Sequence, residues 1–316
     1  MRWSELSCGL KLCILMPTST PDSAFDVMLD ARATIGESPL WSEAENALYW
    51  MDIKKPALHR FDPQTGAVRE WGLTSDIGGF ALLDKGNGAL VALRQGIYRL
   101  DFSSGELVEL AAAPFDTALF RFNEGACDSI GRFWIGVMCD PTDGMKSHEK
   151  SSLHSFMLSG GLRREDDLSD LHNGMAWSAD GKFFYLSHSN QQDIFRFSYE
   201  TVHGRLSDKQ LFASLPGDLG IPDGAAIDSE GGYWCACHGG GRLRRFGPDG
   251  NFDRDILLPV SQPTMCAFGG ANLEELYITS ARDQLSAKQL EQEPLAGALL
   301  RVRPRVRGIR RHCFVR

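Results

Sequence analysis

The chain has 316 residues, 43% of them hydrophobic and 23% charged, the balance of a soluble globular protein with material for a sizeable core. Its net charge of −8 argues against nucleic acid as a main partner, because a phosphate backbone selects a basic face. No apolar run approaches the roughly 20 residues of a membrane-spanning helix, so no membrane partner is expected.

Residues 1–23 lack the apolar h-region and small-residue cleavage site of a signal peptide and read as a poorly ordered extension. The segment FDVMLDARAT, from Phe25, reads as a strand. Beyond it helical periodicity is scarce and a strand–turn–strand unit recurs. Six runs rich in aromatic and β-branched residues carry it: LYWMDI from Leu48, ALVAL from Ala89, RFWIGVM from Arg132, FFYLSHS from Phe183, GYWCACH from Gly232 and ELYITSA from Glu275. Their spacing of roughly 40 to 50 residues is that of a four-stranded propeller blade. Each run is preceded by a turn (SEAEN, DKGNG, DSIG, SADG, DSEG, GANLE) and, ahead of that, by a short apolar strand. Each is followed by another strand, such as ALHRFDP, GIYRLDF or GRLRRFG.

Six such units predict an all-β chain folded as a six-bladed β-propeller over residues 24–303, a single domain, with FDVMLDARAT closing the last blade. A pair of β-sandwiches fits poorly, because the unit recurs too evenly. Residues 304–316 form a basic C-terminal tail, read as a solvated end with a little strand in it. The eight cysteines include no CxxC pair, so a reduced, cytoplasmic setting is expected; Cys235 and Cys237 alternate along one strand and share a face.

In a propeller the innermost strand of each blade lines the central channel, and the loop entering it opens on one face of the disc. Equivalent positions therefore converge about the axis. Read through the repeats, that position holds Glu37 in GESPLW, Asn123 in FNEGACD, Asn173 in HNGMAWS and Asp223 in PDGAAID. Blades two and six hold Gly78–Gly79 and Thr264 there. One Asp-Gly ahead of a strand is ordinary turn chemistry. Four oxygen-bearing side chains in register point to a hard divalent cation, since two carboxylates buried together without one are costly.

The segments GESPLW (36–41), RFNEGACDSIGRFWIGVM (121–138), NGMAWSADGKFFYLSHS (173–189), IPDGAAIDSEGGYWCA (221–236), PTMCAFGG (263–270) and LYITSAR (276–282) resemble, in content and order, those of the SMP-30/gluconolactonase/regucalcin-like (LRE-type) sugar lactonases. The resemblance implies hydrolysis of a sugar (aldono-) lactone with one divalent cation as cofactor: Ca, Zn, Mg, Mn or Fe(II). It implies Glu37, Asn173 and Asp223 as metal ligands, Asp223 also as the catalytic general base, and Arg121 and Asn123 as groups that hold the substrate. Glu124 is a further substrate-binding candidate, facing either the site or the neighbouring blade.

Two positions depart from the family's pattern. The run GVMCDPTDG puts Asp140 and Pro141 where acidic residues are usual, and His188 stands where the family has Asp. Neither Ser38 nor Ser189 has the strand–GxSxG–helix setting of a nucleophile elbow. The histidines show no ligand spacing and are expected mostly in loops or on the surface, with His172 and His238 near the channel mouth. A monomer or weak homo-oligomer is expected. A phosphotriesterase-like hydrolase and a calcium-binding propeller without turnover are the alternatives on the same scaffold.

Overall fold

The computed structural model describes residues 25–145, 147 and 149–315, and the expected N-terminal extension lies outside them. The chain forms six four-stranded antiparallel sheets, the blades of a six-bladed propeller. Their innermost strands are Gly36–Ser42, Ile77–Leu82, Phe120–Cys127, His172–Trp177, Ile221–Ile227 and Pro263–Gly269. The ring closes as predicted. Asp26–Leu29 is the outer strand of the sixth blade, paired with Leu299–Val302, and Arg301 donates from Nε to Asp26 at 3.0 Å across that seam.

The core is divided into six apolar clusters, one between each pair of adjacent blades. Strand alternation produces this. Trp134 faces the fourth blade beside Phe184, whereas Phe133 and Ile135 face the second beside Leu90. Cys235 and Cys237 share a face, as expected, and pack against the fourth blade. Burying one such side chain contributes about 1.5–3 kcal/mol, so each interface holds its neighbours firmly.

Two turns do more than reverse the chain. In DSIGRFW and DSEGGYW, Asp128 and Asp228 are fully buried. Each accepts backbone N–H bonds from two and four residues on, and Asp228 also accepts from Trp234 Nε1 at 2.8 Å. Arg245 pairs with Asp228 at 2.7 Å, which neutralises the buried charge.

The C-terminal tail is only partly the solvated end that its charge suggests. It crosses the base of the disc, bridging Gly308 to Asp228, His312 to Cys127 and Phe314 to Leu83. Several of its arginines reach solvent, but Val306 and Phe314 are buried among blade residues. Among the described residues no helix is long and apolar enough to cross a membrane.

Candidate metal and substrate site

Every inner strand carries an irregularity in pairing near its start, between Glu37 and Leu40, Ile77 and Gly79, Asn123 and Gly125, Asn173 and Ala176, Pro222 and Ala225, and Pro263 and Met265. A bulge re-aims the side chains around it. In three blades the residue after the converging position takes a left-handed backbone: Ser38 (φ 51°), Glu124 (φ 49°) and Gly174 (φ 63°). The glycine at 174 is required by space as well. A Cβ there would stand 2.2 Å from Tyr233 Oη and 2.3 Å from Ser187 Oγ.

Hydrogen bonds tie three of the predicted residues, Arg121, Asn123 and Asn173, into one chain. Asn123 Nδ2 donates to Asn173 Oδ1 at 2.7 Å and to the His172 carbonyl at 2.9 Å. Arg121 Nη1 donates to Asn123 Oδ1 at 3.0 Å. Asn173 Nδ2 donates to Ser189 Oγ at 2.9 Å, which fixes the amide with its oxygen toward Asn123. Glu37 Oε2 accepts from the Ser38 N–H at 2.7 Å. All six predicted site residues are buried.

The carboxylates crowd one another. Burial pushes Glu37 up to about 8, and the Glu124 charge adds to it against Ser38 and Arg121. Asp223 is pushed well above the carboxylate range by burial, then by Glu37 and Glu124. Glu124 itself rises to about 7 through burial, although it accepts from Gly174 N–H at 2.8 Å and Met175 N–H at 2.5 Å. Its carboxylate thus anchors to the neighbouring blade's backbone while its charge acts on the centre. Three buried acids with only two guanidinium groups near them, Arg121 and Arg311, fit a divalent cation with oxygen ligands, for which Glu37, Asp223 and the Asn173 oxygen are candidate donors.

A second group at the rim escaped sequence reasoning. Asp140 Oδ2 accepts from Arg121 Nε at 2.9 Å, Arg94 Nη2 at 2.8 Å and Lys54 Nζ at 2.9 Å. Asp76 accepts from the same Arg94 and Lys54 at 2.7 and 3.1 Å. Burial opposes ionisation of Asp140, but the three cations hold it down to about 2. The departure at Asp140 therefore has a structural meaning: it positions Arg121. Only that departure from the family's pattern signalled the cluster.

The histidines correct two expectations. His59, His154, His172 and His188 are buried instead of lying in loops or on the surface. His172 does not reach the channel mouth; it sits between blades three and four, with Nδ1 3.2 Å from the Val137 carbonyl. His188 pairs with Asp167 in the same interface, at 2.7 Å. His238 is half-buried at the end of its strand, and burial lowers its pKa.

Fold and site together define a propeller whose channel holds a carboxylate-and-amide centre fit for a divalent cation. The model of the SMP-30/gluconolactonase/LRE-like region matches residues 35–282, and the chain belongs to that family. It is 39% identical over 281 residues to a 6-deoxy-6-sulfogluconolactonase of Pseudomonas putida, covering 87% of this chain and 93% of that protein. It is 32% identical over 279 residues to human regucalcin, covering 88% and 93%. Among solved structures it resembles a calcium-binding regucalcin of Agrobacterium tumefaciens, with a TM-score of 0.85 at 24% identity over 91% of this chain and 96% of that one.

Proposed function

We propose that this protein is a divalent-metal-dependent sugar lactonase, a carboxylic ester hydrolase that opens an aldonolactone to its aldonic acid. The observation that carries the reading is the set of three buried, mutually repelling carboxylates beside Asn173, Asn123 and Arg121. The Pseudomonas putida relative, named for sulfogluconolactone hydrolysis, supports the substrate class. That class supports a role in carbohydrate catabolism, and the unpaired Cys127, Cys235 and Cys266 accord with a reduced, cytoplasmic setting.

A lactone is an ester, and its hydrolysis places negative charge on the former carbonyl oxygen. A divalent cation held by Glu37, Asn173 and Asp223 would supply the Lewis acidity that polarises this carbonyl and acidifies water. Asp223 is the general base. With the cation in place to keep it ionised, its carboxylate can take a proton from the attacking water. Arg121 and Asn123 hold the sugar hydroxyls. Asp140 fixes Arg121 through Nε and the Phe122 carbonyl fixes Nη1 at 2.9 Å, which leaves Nη2 for the ligand.

The rim favours one kind of substituent. Lys54, Arg94 and Arg121 face Asp76 and Asp140, one positive charge in excess, and Lys54 is the most exposed of the five at 33%. That excess suits a lactone with an anionic substituent, as in the name of the Pseudomonas putida relative. The test is acid release from gluconolactone, galactonolactone, xylonolactone and 6-deoxy-6-sulfogluconolactone by metal-stripped protein with each divalent ion. Turnover abolished by chelation and restored by one ion is expected. No rate above the spontaneous one, from folded protein that binds metal, overturns the reading in favour of a non-catalytic binder.

A further inference from the structure

A second cluster of ligating side chains lies outside the channel, in the interface between blades three and four. Asp167 comes from the outer strand Gly161–Ser169 of blade three. His172 opens the inner strand of blade four and His188 ends the next, Phe183–His188; the two are direct partners across that pair. Their side chains are almost wholly buried, at 2%, 0% and 3% exposure. Both imidazoles aim Nε2 at one carboxylate oxygen, Asp167 Oδ2, at 3.3 Å from His172 and 2.7 Å from His188. The rings are nearly perpendicular.

Hydrogen-bond roles at His172 make this arrangement informative. Its Nδ1 lies 3.2 Å from the Val137 carbonyl, which only accepts, so Nδ1 carries the hydrogen. In the neutral ring Nε2 is then a bare lone pair. It is buried without a hydrogen-bond partner and faces a carboxylate oxygen, which is also an acceptor. Two lone pairs face each other stably only with a positive centre between them. An imidazole whose far nitrogen donates to a backbone carbonyl is the usual setting of a metal-bound histidine.

We propose that Asp167, His172 and His188 form a second metal site, for a borderline divalent ion of the zinc type, distinct from the all-oxygen centre in the channel. Two imidazoles and one carboxylate select such ions over calcium or magnesium. All the ligating atoms lie within 4.8 Å of one another, close enough for one ion. Lys209 serves as its substitute cation: Nζ lies 2.6 Å from Asp167 Oδ1 and 3.5 Å from His188 Nε2, over the Phe195 ring. It is the one half-exposed member of the group, at 37%, and swings out when the ion enters. The ion then pins the outer strand of one blade to the inner strand of the next, one residue from Asn173.

Zinc titration by calorimetry of the full chain carrying Asp223→Asn, which weakens the channel centre, reads the site directly. One equivalent bound is expected. His188→Gln should weaken it by more than the roughly ten- to hundredfold cost of losing an outer-shell partner. Lys209→Met, which removes the competing cation, should strengthen it about tenfold or more. Copper(II) in the same protein should show nitrogen hyperfine coupling from two imidazoles, which an all-oxygen centre does not give. Zinc bound equally by protein with and without His188 overturns the proposal, as does copper without nitrogen coupling. Should His188→Gln fail to fold, ¹⁵N spectra of the wild-type histidines decide. A zinc-induced shift of His172 Nε2 is expected, and an imidazolium signal unchanged by zinc shows that a proton fills the gap instead.

Discussion

Replacing Glu37 by Gln should stabilise the metal-free protein and destroy its ability to gain stability from metal. Burial and the Glu124 charge move the Glu37 carboxyl from its ordinary value of 4.5 to about 8. Below pH 4.5 the group is protonated in folded and unfolded chains alike and contributes no difference. As pH rises from 4.5 to 8 the unfolded chain releases the proton while the folded chain holds it, so stability falls, and above 8 the loss is complete. At pH 7, at about 1.4 kcal/mol per pH unit, the loss is about 3 kcal/mol. Gln keeps the shape and an oxygen for the Ser38 N–H and cannot ionise, so this loss vanishes. With an unfolding entropy of about 2.1 cal/mol/K per residue, the metal-free variant should melt about 5 °C above wild type at pH 7 and level with it at pH 4. Saturating metal should invert the order, because only wild type retains both carboxylate ligands. Calorimetric melting at pH 4 and pH 7, with chelator and with calcium or zinc, reads all four states. A metal-free variant less stable than wild type at pH 7 would refute the account of mutually repelling acids at the channel centre.

Other positions give sharper local tests. Gly174→Ala imposes a side chain at φ 63° with its Cβ 2.2 Å from Tyr233 Oη; left-handed strain and overpacking together should cost about 2–5 kcal/mol, read by thermal melting. Asp223→Asn should abolish turnover at every pH while leaving the far-ultraviolet circular dichroism spectrum unchanged, as the loss of a general base requires. Asp140→Asn removes the charged partner that Arg121, Arg94 and Lys54 share at 2.8–2.9 Å; steady-state kinetics should show KM raised about tenfold and kcat little changed, since a charge-assisted bond contributes about 1.5–3 kcal/mol. Asp228→Ala leaves the buried Arg245 without its closest carboxylate and should cost about 3–5 kcal/mol in denaturant unfolding.

The blades were legible because the second strand of each blade buries both faces. A run such as Phe133–Cys139 feeds alternate side chains to two interfaces and therefore reads as continuously apolar. The outer strands gave no such signal. Gly161–Ser169, with the sequence GLRREDDLS, is largely exposed and its buried positions are Asp167 and Ser169. Its pairing partner, not its composition, makes it a strand. The converging register of Glu37, Asn123, Asn173 and Asp223 was legible because the repeat superimposes them. Asp140 and Lys54 were not, since they lie 86 residues apart and meet only when blades one and three close around blade two. The short helix Ala287–Gln292, with its Ser286–Gln289 capping box, carries no buried residue and left no apolar pattern to find.

The channel's charge balance also explains why the tail belongs to the fold. Arg121 approaches the three acids from the rim, but Asp140 already claims part of its charge. From below, Arg311 of the tail brings its guanidinium toward Glu124 and to 3.5 Å from the Met175 carbonyl. Burial lowers the Arg311 pKa, and the Glu124 charge opposes that shift. Arg121 thus acts on Glu37 and Asp223 and Arg311 on Glu124, and neither cation offsets the burial that raises these acids. A divalent ion bound there would replace the protons that Glu37 and Asp223 otherwise hold. Shortening the tail after Val306 would remove Arg311 and unpin Phe314 from the second blade, so it should raise the demand for metal and lower stability together. Metal affinity higher than wild type in a protein that melts earlier is the expected pair of results. A truncated chain with unchanged affinity would show that Arg311 exerts no influence on the centre.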